Sequence, residues 1–340
     1  MKRSSVVLSV TVALAMGGCR LMDDDFAGST PTAENVALDV PASKSGALTS
    51  GDGTKVSALL GEEAGSYQLT RAVTGIVNGA TGLVLVLVKT IVSYPPTSVN
   101  GETAVWGPHS EPLDKNAWRL TVTRVGKHQF SWALDGKAKA ADDSAFVTIL
   151  AGTHTRAVND HGISIENYGS GSFVVDWDVA QTLPDHGNAV GVATFTYSRT
   201  APGAVTTIDV DFQGIKDDPP ATELYNAMYR YTATPGAGGE LKYAAKRDYF
   251  PDPHPSNSAL EDFTIHSRWQ ETGTGRTDYE LTGGDVATAP GLTAPVTVSE
   301  CWDTSFLSTY LNVSYDPSKS WGVETSCSFP TAVFLAPSLQ

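Results

Sequence analysis

The chain has 340 residues, 41% of them hydrophobic, with 37 Asp and Glu against 23 Lys and Arg and a net charge of −14. That balance argues against a nucleic-acid partner, because phosphate binding needs concentrated Lys and Arg, and it disfavours charge-driven adhesion to anionic lipid headgroups. The length suits one large β domain or two smaller ones, and the 3 cysteines are too few for a disulfide-dense scaffold.

The first element is a positive pair, Lys2 and Arg3, followed by an apolar run over 6–16. A permanent transmembrane helix needs about 20 residues, so the run reads as an export signal. It closes on the stretch LAMGGC, ending at Cys19. These residues resemble the bacterial lipoprotein signal, in which a small-residue run leads to a cysteine that is acylated and becomes the new N-terminus. Gly17, Gly18 and Cys19 fit that pattern, while Met16 stands where the family more often has Leu. The resemblance implies a signal peptide over 1–18, acylation at Cys19 and a membrane partner held through acyl chains. Arg20 follows the cysteine, where an Asp would imply inner-membrane retention, so the resemblance implies the outer membrane, facing either periplasm or cell surface. An ordinary secretory peptide cut near Gly18 is the alternative. Each buried CH₂ contributes about 0.8 kcal/mol, and stable anchoring takes more than one chain. Loss of Lys2 and Arg3 leaves 21 basic residues against 37 acidic ones, a mature net charge of −16.

Residues 19–54 are rich in Ala, Ser, Thr, Asp, Gly and Pro without a sustained period. Such composition offsets little ordering entropy, which predicts a flexible tether spanning about 30 to 35 Å as a coil. A single β-rich domain is expected over 55–340. Within it, Val73, Ile76, Val77, Ala80, Leu83, Val84, Leu87, Val88 and Ile91 recur at three and four, predicting one long apolar helix over about 67–94 that Pro95 and Pro96 stop. A buried helix is the leading reading of this uncharged stretch. A membrane or interface helix, and a strand pair turning at 78–82, are the alternatives.

Beyond the helix the period falls to two. Trp118, Leu120 and Val122 alternate with polar residues, as do Phe130, Trp132 and Leu134; 146–152 is apolar on both faces. Phe173, Val175, Trp177 and Val179 oppose Asp176 and Asp178, and Ile208, Val210 and Phe212 oppose Asp209 and Asp211. Further strands are expected at 190–198, 223–234, 240–249, 260–270, 277–282, 296–302 and 309–315, with turn clusters at 167–171, 183–188 and 234–239; 169–173 reads as a bend entering the next strand. About a dozen strands with short connections make a mostly β fold, a single large antiparallel meander forming a curved sheet or barrel, with the helix filling or lidding it. A transmembrane barrel has the same alternation. Against it stand the anchor, a C-terminus without a terminal aromatic and the lack of a visible alternation of long loops with short turns.

With Cys19 assigned to lipid, Cys301 and Cys327 remain, and an exported chain makes a disulfide between them reasonable; two separate buried thiols are the alternative. No G-x-S-x-G, H-E-x-x-H, P-loop or C-x-x-C motif occurs, so no catalytic residue, metal ligand or cofactor is assigned. His154, Asp160, His161, Asp185 and His186 lie near turns and could converge on a metal, although Asp-His-Gly is also ordinary turn chemistry. Asp176/Asp178 and Asp209/Asp211 read as a solvated outer face before acid–base or calcium chemistry, and His254 has no evident partner. Tyr225, Tyr229 and Tyr231 share one strand face and Tyr243 and Tyr249 the next, as core or as the lining of a cavity for a lipid or glycan.

The layout resembles the half-barrel carriers of lipids and lipoproteins, and it is similar to envelope lipoproteins without assigned activity. The expected function is a lipid-anchored envelope protein with a non-enzymatic structural or binding role. A carrier of a lipid or other hydrophobic ligand is the alternative, and a hydrolase or metal-dependent enzyme the third reading.

Overall fold

Period-two alternation builds strands whose apolar side chains all reach one face, and in this protein the strands follow one another in a single sheet. A computed structural model describes residues 26, 28–41, 60–216, 223–249, 259–289 and 291–336; the signal-like segment with Cys19, and His254, lie outside them. The strands are β1 (Ser98–Asn100), β2 (Thr103–His109), β3 (Asn116–Gly126), β4 (Gln129–Ala138), β5 (Val147–Val158), β6 (Ser164–Asp176), β7 (Val192–Arg199) and β8 (Thr206–Ile215). They continue as β9 (Tyr225–Thr234), β10 (Gly238–Arg247), β11 (Glu261–Gln270), β12 (Gly275–Gly283), β13 (Val296–Trp302), β14 (Ser308–Val313) and β15 (Trp321–Gly322). Each pairs antiparallel with its sequence neighbours, in the unbroken order β1 to β15. The sheet is therefore a meander, and it is open: β1 and β15 do not pair with each other, which corrects the barrel alternative. The end strands have 3 and 2 residues, so little unpaired edge is left to invite another chain.

A helix, α1 (Gly65–Val92), crosses the inner face. At its start Ser66 meets Glu300 of β13, and just past its end the Tyr94 carbonyl accepts from Trp106 Nε1 of β2 at 2.7 Å. Eleven strand spacings of about 4.8 Å would separate β2 from β13 by about 53 Å in a flat sheet. The helix is only about 42 Å long. The sheet must bend around it, and buried side chains from Ala104 in β2 to Trp302 in β13 join α1 in one core.

The long apolar rod expected at 67–94 is corrected in character. Among the described residues no helix is long and apolar enough to cross a membrane. The first turns of α1 aim hydroxyls at the sheet: Thr70 Oγ1 donates to the Ser66 carbonyl and lies 2.9 Å from Ser267 Oγ, which contacts Thr277 Oγ1 at 2.9 Å. The N-cap position is Ala64, which has no side-chain acceptor. Glu300 supplies one from across the core, its Oε2 accepting from the Ser66 amide at 2.8 Å and the Ser66 hydroxyl at 2.5 Å. A buried carboxylate at the positive end of a helix satisfies orphan amides and complements the helix dipole.

Part of the expected tether is also packed. Residues 28–41 lie along the inner face with Val36 and Leu38 buried; Phe26 is buried ahead of them. Asn78 brackets Leu38 through both backbone groups, at 2.9 and 3.0 Å, and the Tyr231 hydroxyl donates to the Asp39 carbonyl while accepting from its amide. Low hydrophobicity does not keep this stretch free, because its backbone finds partners on α1 and β9. Residues 42–54 lie outside the described residues.

The outer face of the last strands is covered as well. Cys301 and Cys327 form a disulfide with Cα atoms 5.9 Å apart, drawing the C-terminal segment over β11 and β12. There Arg276, Asp278 and Arg268 form a buried ionic cluster.

Because every connection reverses the chain, turns alternate between two rims. One rim carries tight turns at 101–102, 127–128, 159–163 and 200–205. The other carries longer loops at 110–115, 139–146 and 177–191. The alternation of short and long connections, not seen in the sequence, is thus present. The strand expected over 173–179 ends at Asp176, where the chain turns into a four-residue helix, Trp177–Ala180, capped by the Asp176 carboxylate on the Val179 amide at 2.8 Å.

Candidate functional site

A cleft opens on the tight-turn rim. It has a volume of about 500 Å³ and lies between the inner segment, through Thr30, Thr32 and Asn35, and the β5–β6 hairpin, through His154, Arg156, Glu166 and Tyr168. The inner segment is fastened at this wall. Thr32 Oγ1 donates to Asn167 Oδ1 at 3.1 Å, and Arg199 donates to the Glu34 carbonyl at 2.7 Å while its guanidinium sits 5.5 Å from the Tyr168 ring centre. Asn167 takes a φ of 64°, a left-handed conformation that Asn tolerates better than most residues.

His154 is the buried centre of this wall. Its Nδ1 lies 2.6 Å from the Tyr197 hydroxyl on β7. Burial, and then the neighbouring Arg156 charge, hold the imidazole down to about 4. Burial pushes the Tyr197 phenol far up, so it keeps its proton. The arrangement that satisfies both groups has Tyr197 donating to Nδ1 and the imidazole carrying its single proton on Nε2, a tautomer assigned from the network. The ring of this cleft-lining residue then carries one neutral N–H donor.

The room for this pair comes from β6. A Cβ at Gly169 would stand 2.4 Å from His154 Cε1, and one at Gly171 would stand 2.8 Å from the Tyr197 hydroxyl. Glycine is required there for close approach, although in sequence the stretch 167–171 reads as a turn. The correction is that it lies mid-strand, within β6.

The other candidates do not converge on His154. Asp160 and His161 sit on the tight-turn rim, while Asp185 and His186 sit in the 177–191 loop on the opposite rim. Among the described residues no group of three or more His, Cys, Asp or Glu is placed to hold a metal. Asp178 accepts from the Gly191 amide at 2.7 Å, and Asp209 and Asp211 flank Arg230 at 3.7 and 2.5 Å. Both acid pairs therefore have structural partners. Tyr229 and Tyr231 are fully buried, and Tyr229 faces Tyr243 across β9 and β10. Tyr225 is half-buried at the start of β9, with the Arg247 guanidinium 4.8 Å from its ring centre. Burial raises the Tyr231 phenol to about 12, opposed by its hydrogen bond to Asp39.

A neutral imidazole in the fold has a consequence for stability. Between about pH 6.5 and about 4 the unfolded chain binds a proton at His154 that the folded chain does not, so this contribution is full above 6.5 and fades as pH falls toward 4. Replacement by Gln should remove that slope, about 1.4 kcal/mol per pH unit at its steepest. Melting temperatures of wild type and His154→Gln at pH 7 and 4.5 measure it; an equal drop in both proteins would contradict the neutral assignment.

Fold and cleft together define a class: an open antiparallel sheet wrapped round a helix, with a cleft of mixed polar and apolar lining at one rim. No protein-family model, curated protein or solved structure matches the chain.

Proposed function

We propose that this is a lipid-anchored cell-envelope protein, held at the outer membrane by acyl chains on Cys19, whose role is to bind a small hydroxyl-rich ligand, such as a saccharide, in the cleft beside His154. The anchor reading is supported by Lys2, Arg3, the apolar run and Gly17, Gly18 and Cys19, with Arg20 favouring the outer membrane. The binding reading is carried by one observation: a buried imidazole held neutral and pointed by Tyr197, on a wall shared with a cation, a carboxylate and hydroxyls. Such a mixture of donors and acceptors without dominant charge suits a neutral polyol. A histidine held near pKa 4 is a poor general base at neutral pH, which favours binding over catalysis.

Calorimetric titration with a panel of neutral oligosaccharides tests the cleft. At least one should bind, and Glu166→Ala, at an exposed position, should weaken it about tenfold, or 1.4 kcal/mol, without moving the melting temperature. Binding of short-chain phospholipid with no saccharide response would favour the hydrophobic-carrier alternative instead. Intact mass of the mature chain tests the anchor, with diacyl or triacyl mass expected on Cys19 and none on Cys19→Ser.

A further inference from the structure

We infer that the tight-turn rim is the face the protein sets against its bilayer, with the hairpin tips at Val125, Ile163 and Val205 seated in the lipid headgroup layer. The inference rests on the acylation reading of Cys19. Phe26 follows Cys19 by only seven residues, a reach of at most about 25 Å, and it is locked in the core with its ring centre 6.4 Å from Trp106 and 6.3 Å from Phe130. The Arg124 guanidinium, beside the β3–β4 turn, lies 5.6 Å from the same ring. The anchored end of the chain therefore enters the fold at this rim. No long tether separates it from the lipid.

Exposed apolar side chains stand on both rims, with Leu113, Leu224, Leu260 and Tyr315 on the far one, so the entry of Phe26 and the charge choose the rim, and the apolar tips seat it. Val125, Ile163 and Val205 are 60%, 62% and 46% exposed, and they stand at three successive hairpins of the same rim, the β3–β4, β5–β6 and β7–β8 turns. Successive hairpins of a meander are two strand spacings apart, about 10 Å, so the three tips form a row. Charge points the same way. The connections of this rim, at 101–102, 127–128, 159–163, 200–205, 235–237, 271–274 and 303–307, carry Glu102, Asp160, Glu271 and Asp303 with Lys127, His128 and His161. The opposite loops at 110–115, 139–146 and 177–191 carry Glu111, Asp114, Asp142, Asp143, Asp178 and Asp185 against Lys115, Lys139 and His186, and the other described connections of that rim add Glu223, Asp248, Asp285 and Asp316 against Lys216 and Lys319. An anionic surface repels the second rim more than the first, so the acyl chains supply affinity and the charge asymmetry supplies orientation. The cleft beside His154 opens on the same rim, so it would lie close to the bilayer.

The test uses full-length acylated protein in vesicles of phosphatidylethanolamine and phosphatidylglycerol. An environment-sensitive fluorophore is placed at Ile163→Cys and, as the opposite-rim control, at Leu113→Cys, a position 96% exposed; the native disulfide and the acylated Cys19 leave the new thiol as the reactive one. The label at 163 should brighten at least about twofold on vesicles and be quenched by lipids spin-labelled near the headgroup, while the label at 113 stays water-like. Acylated protein in which 163 is as water-exposed as 113, or in which 113 is the quenched position, overturns the orientation alone. A mature chain without acyl mass overturns the anchor reading and this inference with it.

Discussion

Replacing Asp278 by Ala is expected to destabilise the protein by about 3 to 5 kcal/mol, the range for breaking a buried ionic cluster from one side. Four donors converge on this one carboxylate. Arg276 Nε and Ser299 Oγ donate to Oδ1, each at 2.7 Å, while Arg268 donates to Oδ2 at 2.7 Å and the Val333 amide at 3.1 Å. Arg276 is among the largest fully buried side chains in the molecule. Its remaining partners are Glu324 at 2.7 Å and the Phe329 carbonyl at 3.1 Å, both on the C-terminal segment. Without Asp278, Arg276 loses one of its three acceptors and Arg268 one of its two, and the two guanidinium groups are left without the carboxylate between them. The change should appear as a lower urea midpoint with little change in slope. Asp278→Asn should fall between wild type and Ala, because it keeps one acceptor and sets an amide against Arg268. A loss below 1 kcal/mol for Ala would show that the cluster is wet and weak.

How much of this was legible in the sequence follows from how local each signal is. The inner face of β3, β4 and β8 was readable because Leu120, Val122, Phe130, Trp132, Ile208 and Val210 alternate strictly with polar residues, and the structure buries all six. The helix was readable from its three-and-four spacing. Its polar underside was not, because Ser66, Thr70 and Thr74 acquire meaning only when Ser267, Thr277 and Glu300 arrive from strands some two hundred residues away. The same limit hid the cleft: Gly169 and Gly171 look like turn residues until His154 and Tyr197 are seen to occupy the space a Cβ would take. The segment at 28–41 was misread for a related reason. Composition measures how much apolar surface a stretch could bury, and here the stretch is held largely through backbone hydrogen bonds to Asn78 and Tyr231. The disulfide was legible because only two cysteines were left to pair; the ionic cluster it covers was not.

The second large effect concerns that disulfide. Cys327→Ala is expected to lower stability by about 3.5 kcal/mol, the loop-closure value for a sequence separation of 26. A larger loss is reasonable if the segment also comes away from the sheet. Cys301 lies on the outer face of β13, opposite Tyr310 of β14, and Cys327 follows a single 3-10 turn at Glu324–Ser326. Immediately beyond it the Phe329 and Thr331 carbonyls accept from Arg276 and Arg268, and the Val333 carbonyl lies 3.2 Å from His266 Nδ1. His266 Nε2 in turn faces Glu240 at 3.0 Å. Those contacts need the segment to stay in place, and the crosslink keeps it there. The two predictions are therefore coupled. In a double-mutant cycle, Asp278→Ala should destabilise a Cys327→Ala background by about 1 to 2 kcal/mol less than it destabilises the oxidised protein, since part of what Asp278 organises has already been released. Full additivity would mean that the C-terminal segment holds its position through Arg276, Arg268 and Asp278 without help from the crosslink, and the disulfide would then act on the unfolded chain alone.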